Sequence, residues 1–185
     1  MLINILKNIY RATKLNTTVL SDFLLVNSLS TYGESFVNNS NLSSTTNYLI
    51  WVDTQSFKVN IFTGKKSNWK LIKSYSCSIG KPTTPTPKGT FYIGIKGYSF
   101  GYSHGYVCYY YSQFKNDYLF HSILYNLDGT IKDGRLGMKI SNGCIRLAKV
   151  NAKWIYDNVP AKTTVFINWN KKGEFKLMNS PNNIL

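Results

Sequence analysis

The sequence predicts a mainly β domain, sandwich- or barrel-like, with one or two short helices. Three observations carry that expectation. Aromatic residues make up 15% of the chain, with 14 Tyr and 10 Phe. They recur with Ile, Val and Thr in short runs that suit a pleated, half-buried surface. Several runs alternate apolar and polar residues, the period of a strand with one wet face. Charged residues are only 16% of the 185, which excludes a disordered polyelectrolyte, a coiled coil and a charge-laced helical repeat. The length suits one domain with modest extensions.

Taken in order, Leu2, Ile5, Leu6 and Ile9 lie at helical spacing, with Lys7, Asn8 and Arg11 on the other side. They predict a short amphipathic helix that packs on the domain or touches a membrane surface. From Asn27 to Asn47, fourteen of twenty-one residues are Ser, Thr or Asn, a composition that buries little and reads as a linker. Residues 1–47 are therefore expected to precede the domain, which spans 48–168, with a polar tail over 169–185. Strand candidates are Tyr48–Asp53, Phe57–Thr63, Trp69–Ser78, Thr90–Lys96, Tyr106–Tyr111, Tyr118–Phe120 and Thr163–Ile167. Pro82, Pro85 and Pro87 make the stretch between Gly80 and Gly89 a stiff surface loop, because proline cannot donate to a sheet ladder. Val150 to Val159 predicts a helix with Ala152, Ile155 and Tyr156 on one face, stopped by Pro160.

Twenty-two Lys and Arg against eight Asp and Glu give a net charge of +14. Sixteen bases and five acids fall within 48–167, so the folded part carries the positive field. Such a field favours anionic partners: nucleic acid, an anionic membrane or an anionic wall polymer. The bases are scattered among aromatics without a long basic run, so no nucleic-acid-binding arm is expected. Three cysteines, Cys77, Cys108 and Cys144, with no C-x-x-C, argue against a disulfide framework or a zinc ribbon. His104 and His121 are the only histidines; they are not paired at ligand spacing, so no metal site is expected. The longest apolar run near the N-terminus is Phe23 to Val26, too short for a membrane span or a signal peptide.

Chemistry concentrates in Ser141-Asn142-Gly143-Cys144-Ile145-Arg146-Leu147. A glycine before the cysteine lets a reacting carbonyl approach the backbone, with the Gly143 and Cys144 amides available to a developing oxyanion. Upstream, the apolar run Leu119-Phe120 ends in His121-Ser122. A thiol with a pKa of about 8.5 is mostly protonated at neutral pH, and an adjacent imidazole can take that proton. Cys77 and Cys108, on strand-like runs, read as inert core thiols, and His104 as a loop histidine.

These motifs resemble the L,D-transpeptidase family of peptidoglycan cross-linking enzymes. The family's pattern is a histidine, a gap, then Ser/Thr-His-Gly-Cys, an apolar residue and Arg or Asn. Here His121 is followed by Ser141-Asn142-Gly143-Cys144-Ile145-Arg146. The stretch from Ser78 through Gly80, Pro85-Thr86-Pro87 and Gly89 to Phe91 is similar to the family's S-x-G-x-x-x-x-P-T-P-x-G-x-F segment. The resemblance runs from about Tyr48 to Ile167. It implies the family's β-sandwich-like catalytic domain, with Cys144 as nucleophile, His121 as base and the Ser122 carbonyl orienting His121. It also implies Gly143, Asn142, Ser141 and Arg146 around the oxyanion and the substrate. Asn142 stands where the family usually has histidine; it can shape the loop and hydrogen-bond but cannot carry charge.

The implied reaction is acyl transfer between stem peptides, with release of terminal D-Ala and formation of a 3–3 cross-link. Water as acceptor would give carboxypeptidase activity, and neither a cofactor nor a metal is called for. Tyr98, Tyr106 and Tyr109 fall where the family has a substrate-covering lid. The expected partners are peptidoglycan stem peptides and, through the positive surface, anionic wall polymers such as teichoic acids. Neither nucleic acid nor a stable membrane span is expected. The expected location is extracytoplasmic and wall-associated, although no signal peptide is visible. A wall-binding module that keeps the fold without turnover is the alternative expectation.

Overall fold

The computed structural model describes residues 32–168. The expected N-terminal amphipathic helix and the polar tail lie outside those residues. Twelve strands and two α-helices are present among them, with β1 Tyr48–Asp53, β2 Lys58–Lys65, β3 Asn68–Gly80, β4 Gly89–Tyr92, β5 Lys96–Phe100 and β6 Cys108–Lys115 in the first half. The second half holds β7 Tyr118–Ser122, β8 Leu124–Tyr125, β9 Ile131–Asp133, β10 Lys139–Ser141, β11 Ile145–Leu147 and β12 Thr164–Asn168. Helix α1 covers 32–39, and α2 is Lys149–Asn158.

Nine strands run side by side in the order β4-β12-β1-β2-β3-β11-β7-β6-β5, with β10 added against β3. Strand β3 is the spine. Its first part pairs antiparallel with β2 and its end with β11, so one thirteen-residue strand joins the two halves of the curled sheet. Within the concave side, Ile50, Val52, Val59, Ile61, Phe114, Phe120, Ile145, Leu147, Val165 and Ile167 pack against Ala152 and Ile155 of α2. Burial of this apolar surface is what drives the curling, at roughly 25 cal/mol per Å².

Residues 32–47 depart from the linker expectation. Phe36 and Val37 of α1 close over Leu49, Trp51, Phe62 and Trp69 on the other face of β1–β3. Glu34 and Asn38 hydrogen-bond the backbone of β3 at Leu71 and Trp69. Strand β1 is consequently covered on both faces. Two apolar residues one after another in a helix are enough to seal a sheet face, whatever the average polarity of the segment.

The C-terminus of α2 is capped by Lys96, whose ammonium donates to the carbonyls of Ile155 (3.3 Å), Tyr156 (2.7 Å) and Val159. The last carbonyls of a helix run short of backbone donors; Ile155 also accepts the Val159 N–H, and a cation there complements the helix dipole. The expected run Thr90–Lys96 is interrupted between β4 and β5. β4 joins the edge beside β12, whereas β5 joins the opposite edge beside β6.

Candidate active site

Two neighbouring strands assemble the site. β11 lies parallel to β7, with Ile145 beside Phe120, Arg146 beside His121 and Leu147 beside Ser122. Phe120 and Ile145 point into the core, so alternation turns His121 and Arg146 to the opposite face. Cys144, two positions before Arg146, returns to that same face. The nucleophile and base expected from the sequence therefore share one face of one strand pair.

His121 is 4% exposed. Its ring meets Phe100 edge-on at 5.2 Å between centroids. Nδ1 lies 2.6 Å from the Ser122 carbonyl oxygen. A carbonyl only accepts, so Nδ1 carries the proton and Nε2 is left as the basic nitrogen. Burial pushes the imidazole pKa down to about 4, against the opposing pull of that carbonyl; the Arg146 charge lowers it further. The Ser122 hydroxyl has another use: it accepts from the Tyr109 amide and donates to the Ile123 carbonyl.

Of the three thiols, Cys77 and Cys108 are buried and Cys144 is half-buried. Burial pushes both Cys77 and Cys108 up to about 12, which matches their reading as inert thiols. Burial also raises Cys144, but here the Leu119 backbone N–H, directed at the sulfur, and the Arg146 charge pull the other way. The resting thiol donates to the Asp117 carbonyl at 3.5 Å. Neutral thiol and neutral imidazole is thus the resting pair at neutral pH.

The loop from Ser141 to Cys144 is held from within and below. Buried Ser141 donates through Oγ to the Cys144 carbonyl (2.5 Å) and accepts the Gly143 N–H (3.1 Å). The Gly143 amide, expected as an oxyanion donor, is therefore committed to the loop, and Ser141 is an internal strut instead of a substrate contact. A hydroxyl two residues before an amide closes such a turn readily. Gly143 has φ of 106°, and a Cβ there would come within 2.3 Å of the Tyr118 ring, so only glycine fits. Asn142 is exposed at the tip.

Thr86, at the centre of the Pro-Thr-Pro run, is the support that sequence reading did not single out. It is 6% exposed, accepts from Gly80 N–H at 2.9 Å and donates to the Gly143 carbonyl at 2.8 Å. Thr84 Oγ1 and Lys81 N–H both bind the Ser141 carbonyl. The stiff loop is the floor beneath the cysteine turn, which ties the two sequence motifs into one structure.

The three tyrosines expected together part company. Tyr106 stands close enough to Cys108, Cys144 and Arg146 for their charges to act on its phenol. Tyr109 lies under Lys149 of α2, with the ammonium 3.7 Å from the ring centroid, and Tyr98 packs on Tyr109 and Tyr110. The cause is Tyr110, with φ of 56°. It breaks the alternation of β6, so that Tyr109 and Tyr110 both turn toward α2. Exposed His104 sits in a 3₁₀ turn, Tyr102–His104. Among the described residues no group of three His, Cys, Asp or Glu side chains gathers as for a metal, and no helix is long and apolar enough to cross a membrane.

Known proteins are similar to this chain in sequence and in fold. YciB of Bacillus subtilis (strain 168), an L,D-transpeptidase by assignment, is 35% identical over 130 residues, covering 64% of this chain and 65% of YciB. A crystal structure from Clostridium acetobutylicum ATCC 824, described as a fused Zn-dependent amidase/peptidase/peptidoglycan-binding domain-containing protein, is 42% identical. It covers 77% of this chain and 61% of that one, with a TM-score of 0.67. An L,D-transpeptidase from Mycobacterium smegmatis shares the fold at a TM-score of 0.52 and 20% identity, covering 66% of this chain and 58% of its own. The chain thus spans less than two thirds of each of these relatives. With residues 47–167 matching the L,D-transpeptidase catalytic domain family, YkuD, this chain belongs to that family.

Proposed function

We propose that this domain is a cysteine acyl transferase that joins peptidoglycan stem peptides through 3–3 cross-links. The observation that carries the reading is the half-buried Cys144 on the face it shares with His121, whose Nδ1–H is pinned to the Ser122 carbonyl.

Rotation about χ1 of Cys144 takes the sulfur from the Asp117 carbonyl toward His121, a move between staggered rotamers. Nε2 takes the thiol proton as the sulfur attacks the carbonyl of the third stem residue. Negative charge develops on the carbonyl oxygen. With the Gly143 amide engaged, the Cys144 amide and the exposed Asn142 carboxamide are the donors for it; one such donor is worth about 3 kcal/mol. Collapse breaks the peptide bond, and His121 returns its proton to the departing D-Ala amine. The amine of a second stem peptide, such as a diaminopimelate side chain, attacks the thioester, His121 takes the proton that the amine sheds, and the thiolate leaves. Water in place of that amine gives carboxypeptidase activity. The substrate lies outside the cytoplasm, so the domain works there, and the chain's net charge of +14 suits anionic wall polymers.

Incubation with a carbapenem followed by intact-mass and peptide mapping tests this reading. A covalent adduct on Cys144, lost in Cys144→Ala, is the expected result. A second reading, a wall-binding module without turnover, draws on the resting contact between the thiol and Asp117. It predicts no adduct together with retained binding to peptidoglycan.

A further inference from the structure

The face of the sheet that carries His121 has two unlike sides. Toward β11 stands Arg146, beside His121 in the strand register and ion-paired to Asp133 at 3.0 Å. Asp133 also holds Arg135, and two arginines against one aspartate leave that side one positive charge in excess. Toward β5 and β6 the neighbours are rings. Phe100 meets the imidazole edge-on at 5.2 Å, and Tyr111 meets Phe100 at 5.7 Å with the ring planes 88° apart. The positive φ of Tyr110 brings this about: with Tyr109 and Tyr110 both turned to α2, Tyr111 returns to the face of His121. Gly97, its register partner on β5, completes the fit, since a Cβ there would come within 2.3 Å of the Tyr111 ring. Both rings are half-buried and keep part of their surface in solvent, on the last two strands of the sheet.

We infer that Phe100 and Tyr111 form the acceptor side of the site: their rings receive the aminoalkyl side chain of the second stem peptide and favour it over water at the thioester. The inference rests on the acyl-transfer reading and adds which residues choose the nucleophile of its second step. Such an acceptor ends in a primary amine, cationic in water because its pKa is about 10.4. The excess positive charge beside Arg146 repels it. Ring faces attract a cation and pack against the methylenes behind it, and water gains from neither contact. When the ammonium gives its surplus proton to solvent, the alkyl stem stays on the rings and keeps the nitrogen beside His121. The nitrogen then attacks, His121 takes its next proton, and a C–N bond replaces the C–S bond as the Cys144 thiolate leaves.

The test is the partition of the thioester. A donor tetrapeptide is turned over with either of two nucleophiles: a stem peptide bearing a free side-chain amine, or hydroxylamine, which has no alkyl stem. The ratio of aminolysis product to hydrolysed tripeptide is weighed by mass against nucleophile concentration. Both products leave the same thioester, so the ratio does not depend on how fast Cys144 is acylated. Tyr111→Ala is expected to lower the stem-amine ratio about fivefold, the scale of a partly desolvated cation–ring contact, and to leave the hydroxylamine ratio unchanged. Tyr111→Phe, which keeps the ring, should match the wild type. Gly97→Ala, which drives the ring off β5 without removing it, should lower the stem-amine ratio as well. Tyr98→Ala, on the side toward α2, should not. Circular dichroism identifies any variant that fails to fold; Tyr111→Leu, which keeps the bulk and loses the ring face, then carries the test, with a fall in the same direction. An unchanged stem-amine ratio, an equal fall for hydroxylamine, or hydrolysis alone in the wild type overturns the inference and leaves a working thioester in place. If the wild type makes neither tripeptide nor aminolysis product, the acyl-transfer reading falls and the inference with it.

Discussion

The buried imidazole makes a quantitative demand on stability. His121 titrates near 4 in the folded protein, against an ordinary value of 6.5. The unfolded chain therefore binds a proton between these two pH values that the folded chain refuses. Stability from this residue is fully present above 6.5 and is lost as the pH falls toward 4, because protonation favours the unfolded state. The gap corresponds to about 3 kcal/mol in full. Roughly 2 kcal/mol of it is lost between pH 7 and pH 5. Asp133 acts in the same direction but lower, since hydrogen bonding from Arg135 holds it at about 2, so the two effects separate. Urea unfolding at half-unit steps from pH 7 to pH 5, for the wild type and for His121→Gln, isolates the histidine. The wild type should lose about 2 kcal/mol more than the variant across that range. Equal pH slopes would mean that the ring protonates in place without cost. The argument that His121 waits as a neutral base in a dry setting would then be wrong.

Other parts of the site make separate demands. Gly143→Ala places a methyl within 2.3 Å of the Tyr118 ring at a φ of 106°; it should cost about 2–3 kcal/mol in urea unfolding and slow alkylation of Cys144. Thr86→Val strands the buried Gly143 carbonyl and should cost about 1–3 kcal/mol. Thr86→Ser, which keeps the hydroxyl, should restore both stability and the alkylation rate. Lys96→Met removes the cap on α2 and should lower stability by about 1–2 kcal/mol without changing the reactivity of Cys144. Each is read by chemical denaturation alongside iodoacetamide kinetics.

Apolar runs and helical spacing are legible in the residue pattern alone: Tyr48–Asp53 has the bounds expected of it, and α2 begins one residue from its expected start. The misses have physical causes. β8, β9, β10 and β11 are two or three residues long, too short for periodicity to register, and they are fixed by neighbours distant in sequence. Helix α1 is hidden by composition, since its anchoring rests on Phe36 and Val37 within a run of Ser, Thr and Asn. At the site, the chemistry of Cys144 and His121 can be read from residue type and motif, but the commitments of the loop cannot. Whether the Gly143 amide faces a substrate or the Ser141 hydroxyl is decided by the turn, and Thr86 becomes a support only when its loop folds beneath that turn. Asp133 carries no local signal at all; its ion pair with Arg146 joins two short strands that only the fold brings together. The separation of Tyr98 and Tyr109 from Tyr106 depends on a single positive φ at Tyr110, which no strand pattern reveals.

The central claim is that Cys144 and His121 together move an acyl group between stem peptides. It is tested most directly by incubating peptidoglycan with the protein, digesting it to muropeptides and weighing the products. The account predicts 3–3 dimers, with tripeptides where water intercepts the thioester, for the wild type and neither for Cys144→Ala. Unchanged muropeptides from folded wild-type protein, or the same products from Cys144→Ala, would contradict it.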